Sequence, residues 1–356
     1  MVYMNLDSPK DIAKIDTENM LDLLVSFPRQ CEDALFIGRR SAVKTRYKKR
    51  YSNIVFTGLG GSAIGGDIIK GYTGGELDIP IYINRNYTLP HFVNKDSLVF
   101  AVSYSGNTEE TLSAYTEALR RDANVIVITS NGKIKEHASK NNDILVTLPK
   151  GYPPRCALGY SFIPAIVMLA KLKLIKNKDE EIKAASCFLA GLKEKALSPG
   201  VKGRANVSKA VAKKIYGRFP VIYASEKLGS IAMRWRGEFA ENAKTLSSSH
   251  VFSEMNHNEI VGWKNPGSLL KDFAAIILRD KHDLSRIRKR MDITASILKK
   301  AKFQVLEVES KGKTLLERML SLVYIGDFAS FYLSVLNKQD PTPVKRIAYL
   351  KKQLAR

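Results

Sequence analysis

The sequence predicts an α/β protein made of two parallel-sheet sandwich domains with flanking helices, and three observations carry that prediction. Strand-length apolar runs alternate with segments of helical length, the pattern of a parallel sheet covered by helices. The alternation stops near the Pro- and Gly-bearing stretch LSPGVKG, residues 197–203, and then starts again. A chain of 356 residues with 45% hydrophobic content is long enough for two such domains. The expected division is an N-terminal helical segment over residues 1–50, a first domain over 51–198 and a second over 199–356.

In chain order, NMLDLLVSFPRQCEDALFIG (19–38) has an amphipathic helical spacing interrupted at Pro28. The first domain's strands are NIVFTG (53–58), IPIYIN (79–84), SLVFAVSY (97–104), NVIVITS (124–130) and DILVTLP (143–149). After GYPPRCALGY (151–160), an apolar helix is expected from about Phe162 to Ile175, then a lysine-rich helix to about Lys195. The second domain offers FPVIYAS (219–225), a helix holding IAMRWRGEFAENAK (231–244), the strand FAAIILRD (273–280), a basic helix, FQVLEVES (303–310) and two closing helices.

Charge and cysteine usage exclude several classes. The formal net charge is +22, and RRSAVKTRYKKR (39–50) carries seven basic side chains and no acid. Aromatic platforms or a recognition helix would accompany a nucleic-acid site, and neither stands beside this run, so it reads as a solvated basic face. A general positive field also speeds encounter with anionic metabolites. Cys31, Cys156 and Cys187 are odd in number and lack C-x-x-C spacing, which argues for buried thiols rather than a disulfide framework or structural zinc. The first thirty residues have no signal-peptide pattern, and the longest apolar candidate, FIPAIVMLA (162–170), is too short to span a bilayer. A cytoplasmic protein with no membrane partner is expected.

Two glycine-bearing loops follow predicted strands. FTGLGGSAIGGD (56–67) places five glycines from Gly58 to Gly66, the arrangement that lets backbone amides approach a bound phosphate. Gly58, Gly60 and Ala63 also fit a weak dinucleotide fingerprint, and Arg85, after the next strand, suits an NADP phosphate better than an NAD ribose. VSYSGNTEET (102–111) sets Ser103, Ser105 and Thr108 around Gly106 just before a helix, offering hydroxyls and helix amides to a phosphate. The plainer alternative is a capping turn in which Asn107 or Thr108 satisfies helix amides.

SYSGNTEET looks like the S-x-S-G-x-T signature of sugar isomerase (SIS) domains, and GLGGSAIGGD resembles the glycine loop of the bifunctional phosphoglucose/phosphomannose isomerase family. The similarity continues through PPRCALGY, RWRGEFAENAK, EMNHNEIVGW and DPTPV, from about residue 50 to the end. That family is built from two SIS domains, each a parallel sheet flanked by helices. The resemblance implies an enzyme that interconverts glucose 6-phosphate and mannose 6-phosphate with fructose 6-phosphate through a cis-enediol, without a cofactor. It also implies that Gly60, Gly61 and Ser62 approach the sugar while Ser103, Ser105 and Thr108 hold its 6-phosphate.

Such chemistry needs a base between C1 and C2, donors for the enediolate and an acid to open the ring. By the family pattern Glu241, the acid of E-N-x-K, is the base. Glu238, three residues earlier and near the same helix face, is left to pair with a cation. The same resemblance implies that Arg155 neutralises the enediolate oxygens, a role for a permanently charged fork. The resemblance further implies that His257 opens the ring and reaches the site from a neighbouring subunit, and hence a homodimer. A lysine on the terminal helix reaches the ring oxygen. Lys351 fits best, Lys345 and Lys352 stay open, and Thr342 is expected to cap that helix with Pro343 at its first position.

His91, His137, His250 and His282 read as structural. Glu254, His257 and Glu259 form a small N/O cluster, but no second histidine stands at i+2 or i+4 from His257, so no metal is expected. The alternatives are a non-catalytic sugar-phosphate-binding SIS regulator and an amino-sugar phosphate isomerase. Regulators append a DNA-binding module, and residues 1–50 show no helix-turn-helix. Ammonia-using amino-sugar enzymes carry an amidotransferase domain with an N-terminal cysteine, whereas Met1 here is followed by Val2.

Overall fold

The computed structural model describes residues 4–354, so Met1 and Val2 lie outside the described residues. The chain divides into two compact units. One comprises Ser26–Phe188 with Thr314–Leu316, and the other comprises residues up to Val25, Leu189–Lys313 and Glu317 onward. The N-terminal helices α1 (Pro9–Ile15) and α2 (Met20–Val25) therefore belong with the later part of the chain, and α3 (Phe27–Arg40) with the earlier part. The helical break falls at Ser26 rather than at Pro28. Pro28 sits in the first turn of α3, where a missing amide hydrogen costs nothing.

The earlier unit holds a five-stranded sheet of β1 (Asn53–Thr57), β2 (Ile81–Asn84), β3 (Ser97–Val102), β4 (Asn124–Thr129) and β5 (Ile144–Thr147). The order is β2-β1-β3-β4-β5 and every pair is parallel. Strands β1 and β3 are buried on both faces, which is why they read as unbroken apolar runs. Helices α4 (Gly61–Thr73), α5 (Glu109–Arg120), α6 (Lys133–Lys140), α7 (Leu158–Lys171) and α8 (Asp179–Leu192) flank this sheet in sequence. Helix α7 lies four residues earlier than expected. It ends at Lys171 because Lys173 turns to φ 60 and the Leu174 amide closes on the Leu169 carbonyl.

Two expectations are corrected in this unit. The basic run is not simply a solvated face, since several of its cations bind the loops that lead into the strands. Lys44 Nζ donates to the carbonyls of Asn142 and Asp143 at 2.7 and 2.8 Å, and Arg46 bonds the Asp143 carboxylate at 2.8 Å. Lys49 bonds the Lys95 carbonyl, and Arg39 pairs with Asp179 at 2.6 Å. Of the three cysteines, Cys31 and Cys156 are buried but Cys187 is exposed. Helix α8 buries Ile182, Ala185, Ser186 and Leu189 as one stripe, and Cys187 stands a residue past it.

The later unit repeats the scheme with α9 (Val207–Ile215), β6 (Phe219–Ser225), α10 (Gly229–Glu241), β7 (Ser248–Phe252), α11 (Glu259–Gly262) and α12 (Gly267–Leu270). It continues with β8 (Phe273–Arg279), α13 (Ser285–Lys300), β9 (Gln304–Glu309), α14 (Leu315–Leu336) and α15 (Lys345–Leu354). The sheet is parallel in the order β7-β6-β8-β9. Edge strand β7 escaped the sequence pattern because SSHVF has too few apolar positions.

Helix α14 is a longer apolar segment than FIPAIVMLA, long and apolar enough to cross a membrane, and it is buried throughout. Its charges are matched inside the unit, Arg318 Nε to both Asp280 oxygens at 3.0 and 2.9 Å and Asp327 to Arg234. Buried Lys209 holds the start of the chain here, bonding Asp7 at 2.6 Å and the carbonyls of Pro199 and Val201 in the LSPGVKG stretch.

Candidate active site

A parallel sheet whose strand order reverses leaves a crevice at the carboxyl ends of the two strands flanking the reversal. In the earlier unit that point lies between β1 and β3, and the two glycine-bearing loops leave those two strands. Gly60, at φ 52, turns the chain into α4. Gly61 follows, and a Cβ there would stand 2.7 Å from the Pro154 carbonyl oxygen, so only glycine lets the Arg155 turn come this close. Ser62 is buried, and its Oγ accepts from the Tyr104 amide at 3.2 Å, tying the first loop to the second.

The second loop is folded around its hydroxyls. Ser103 and Thr108 place their oxygens 3.0 Å apart, and the Gly106 amide donates to Ser103 Oγ at 3.1 Å. Gly106 takes φ 74, and a Cβ on it would meet the Asn131 carbonyl oxygen at 1.6 Å. Ser105 is exposed on the rim. Thr108 occupies the N-cap of α5 yet makes no capping bond, and Asn107 Oδ1 accepts instead from the Lys133 amide at 3.0 Å. The capping-turn alternative therefore fails. The first amides of α5 have no intrahelical partner and face the same crevice end with the positive end of the helix dipole.

Tyr104, which sequence reasoning passed over, and Asn107, considered there only as a cap, hold these loops in place. Tyr104, a filler position in S-x-S-G-x-T, donates its hydroxyl to the Pro149 carbonyl at 2.7 Å and accepts from the Tyr152 amide at 3.0 Å. Its carbonyl accepts from Ser130 Oγ at 2.7 Å. Asn107 joins the loop to α6. A polar residue inside a glycine-serine loop was the available signal in both cases. Arg155 itself is buried, in the short turn Pro154–Cys156. Arg85 is engaged by Asp67, whose carboxyl burial pushes up against the pull of that arginine, so the cation considered for an NADP phosphate already has a partner.

In the later unit, α10 separates its two acids. Glu238 is buried and pairs with Arg234 at 3.1 Å, while Arg234 also grips Asp327 with two bonds of 2.9 and 2.8 Å. Asn242 Nδ2 donates to Glu238 and to Ser330 Oγ, each at 2.9 Å. Glu241 is the last residue of α10 and half-buried. The helix stops there, short of the expected Lys244, because Lys244 takes φ 55 and the Thr245 amide closes on the Phe239 carbonyl. Lys244 Nζ then bridges the carbonyls of Glu241 and Pro341 at 2.7 and 3.1 Å, bringing the DPTPV turn to the end of α10.

The terminal helix starts at Lys345, later than expected. The Thr342 amide folds onto Asp340 Oδ1 at 2.9 Å, and prolines on both sides keep Thr342 out of the helical region. Helix α15 buries none of its residues, and Lys345, Lys351 and Lys352 are all exposed on it.

His257 closes the turn Glu254–His257 and is exposed, with no side-chain hydrogen bond among the described residues. The turn beneath it is well anchored. Asn256 Nδ2 donates to Thr294 Oγ1 at 3.0 Å, and Glu259 accepts from Tyr223 at 2.6 Å and meets His250 Nδ1 at 2.8 Å. His250 and Glu259 are thus spent on each other rather than arranged around His257.

Tandem parallel α/β units, with a glycine loop and a hydroxyl loop at the first strand-order reversal, define a protein of two sugar isomerase domains. Residues 48–175 match the SIS domain family, and residues 204–354 match the bacterial phospho-glucose isomerase C-terminal SIS domain. The bifunctional phosphoglucose/phosphomannose isomerase of Caldicellulosiruptor bescii is 42% identical over 337 residues, 94% of this chain and 99% of that one. A protein of the same name from Aquifex aeolicus is 39% identical over 85% of this chain and 91% of its own. A crystal structure of a hypothetical protein from Thermus thermophilus has the same fold, with a TM-score of 0.74 at 15% identity over 98% of this chain and 93% of that one. The chain belongs to the bifunctional phosphoglucose/phosphomannose isomerase family.

Proposed function

We propose that this chain is a metal-independent aldose–ketose isomerase that interconverts glucose 6-phosphate and mannose 6-phosphate with fructose 6-phosphate through a cis-enediol. The observation that carries the proposal is the crevice between β1 and β3, where Ser103 and Thr108 converge beside an uncapped helix N-terminus. In this reading Ser103, Ser105 and Thr108 hold the 6-phosphate, and the Gly60–Ser62 backbone lies against the sugar.

Arg155, on the turn pressed against Gly61, meets the charge that develops on O1 and O2. Glu241, the acid of the E-N-x-K pattern at the end of α10, moves the proton between C2 and C1, while Glu238 is buried against Arg234. His257 protonates the ring oxygen as the hexose opens, assisted by Lys351. The exposed, unbonded state of His257 supports assigning it to the site of a second copy of the chain. Val261 and Leu269 in the same segment are 76% and 57% exposed, and such apolar side chains suit a subunit contact. C2 of the enediol is planar, so protonation on either face gives glucose or mannose stereochemistry from one intermediate.

The test is proton NMR of the full-length protein with fructose 6-phosphate in D2O containing EDTA. Glucose 6-phosphate and mannose 6-phosphate, both deuterated at C2, are expected. Glucose 6-phosphate alone would remove the dual specificity, and bound but unconverted fructose 6-phosphate would turn the reading toward a sensor.

A further inference from the structure

The turn that carries Arg155 is gripped from two sides. On one side the first residue of α4, Gly61, packs against the Pro154 carbonyl. On the other stands Gln30 of α3, 1% exposed. Its Nε2 donates to the Cys156 carbonyl at 2.8 Å, and its Oε1 accepts from the Gly159 amide at 2.7 Å. Gly159 lies in the first turn of α7, where an amide has no partner within the helix. Both polar ends of one side chain are therefore used on the backbone directly after Arg155. The fit is close, since a Cβ on Gly159 would stand 2.8 Å from Gln30 Oε1.

Gln30 is also out of character with its surroundings. The buried face of α3 is otherwise Phe27, Pro28, Cys31, Ala34, Leu35 and Gly38. An apolar side chain there would pack α3 against α7 but would leave the Gly159 amide and the Cys156 carbonyl without their partner, each at the cost of an unmet buried hydrogen bond. What an apolar side chain would not do is fix the backbone on the C-terminal side of Arg155.

We propose that Gln30 is a positioning residue for catalysis, holding the Pro154–Cys156 turn so that the Arg155 guanidinium sits where enediolate charge develops. The inference rests on the role given to Arg155 above. It assigns Gln30 an effect on the transition state and none on the phosphate loops.

Gln30→Glu keeps the acceptor for the Gly159 amide and loses the donor to Cys156, while Gln30→Met loses both. Both are to be measured with fructose 6-phosphate, alone and in an Arg155→Ala background. Displacing a catalytic group by an ångström costs up to about a hundredfold in rate, so kcat should fall on the order of tenfold or more. KM should stay within about threefold, because only transition-state binding is lost. In the Arg155→Ala background the same substitutions should change kcat by less than about twofold, the non-additivity of residues acting through one another.

An equal loss of kcat in both backgrounds would make Gln30 a general structural residue and overturn the inference. A slow Arg155→Ala beside a normal Gln30→Glu would also overturn it while leaving Arg155 in place. If Arg155→Ala itself turned over normally, the assignment of Arg155 would fall and this inference with it. Should Gln30→Met not fold, Gln30→Glu alone decides the outcome.

Discussion

The two sheets have the same parallel construction and the same reversal of strand order, yet the segments leaving the strands at the two reversals carry different side chains. Between β1 and β3 the loops offer Ser103, Thr108 and unpaired helix amides. Between β6 and β8 the corresponding segment after β8 begins with Asp280 and continues to Asp283. Asp280 is saturated by Arg318. Asp283 is buried, and burial pushes its carboxyl up from the ordinary value, with the Ser225 hydroxyl pulling it back. The fold supplies a crevice twice, and side chains make the two different. In the proposed function the earlier unit would hold the phosphate and the later unit would supply the proton-transfer groups.

The largest test of that division is Glu241→Gln. If chemistry belongs to the end of α10, kcat should drop by about 10²–10⁴-fold, the typical worth of a general base, with KM little changed. A large rise in KM instead would place Glu241 with the binding groups and break the contrast. Next in size is Arg234→Met, which leaves Asp327 and Glu238 buried without their cation. Removing one partner of a buried pair costs about 3–5 kcal/mol, to be read from urea unfolding midpoints.

Two glycines with the same sign of φ then separate site from scaffold. Gly106→Ala drives a Cβ into the Asn131 carbonyl and should raise KM for fructose 6-phosphate by about tenfold or more as the loop is displaced. Gly217→Ala, at φ 71 with open space around it, should cost only about 1 kcal/mol of stability and leave KM alone. Equal kinetic effects from the two would detach the hydroxyl loop from phosphate binding.

The smallest effect belongs to the second crevice. A carboxyl whose folded pKa is raised holds its proton better in the native state, so it makes stability fall as pH rises from about 4 through the folded pKa. Asp283→Asn removes that fall, and the variant should gain stability relative to the parent between pH 4 and pH 7. A loss over the same interval would mean that the Asp283 charge is used in the native state.

Both loops and most strands were legible in the sequence because they are local facts. A glycine before a helix, or an apolar run of strand length, carries its meaning in a few neighbouring residues. The less legible features depended on distant partners. SSHVF pairs with β6 despite its weak pattern, because an edge strand needs one good neighbour and little burial. Glu238 and Glu241 look alike three residues apart, and only the tertiary structure shows that Glu238 is buried against Arg234, which Asp327 also grips. Gln30 gave no signal at all, since its two bonds reach residues more than a hundred positions away.

The sequence alone therefore determined two runs of alternating strand and helix, the positions where only glycine turns the chain, and a serine-threonine loop fit for an anion. Tertiary structure decided the strand order that opens a crevice, the convergence of Ser103 with Thr108, the burial of Glu238 and the use of Lys44, Arg46 and Lys49 as loop anchors. The physical reason is one of range. Backbone periodicity and turn conformation are set within a few residues, whereas strand order, burial and ion pairing are set by contacts between segments far apart in the chain.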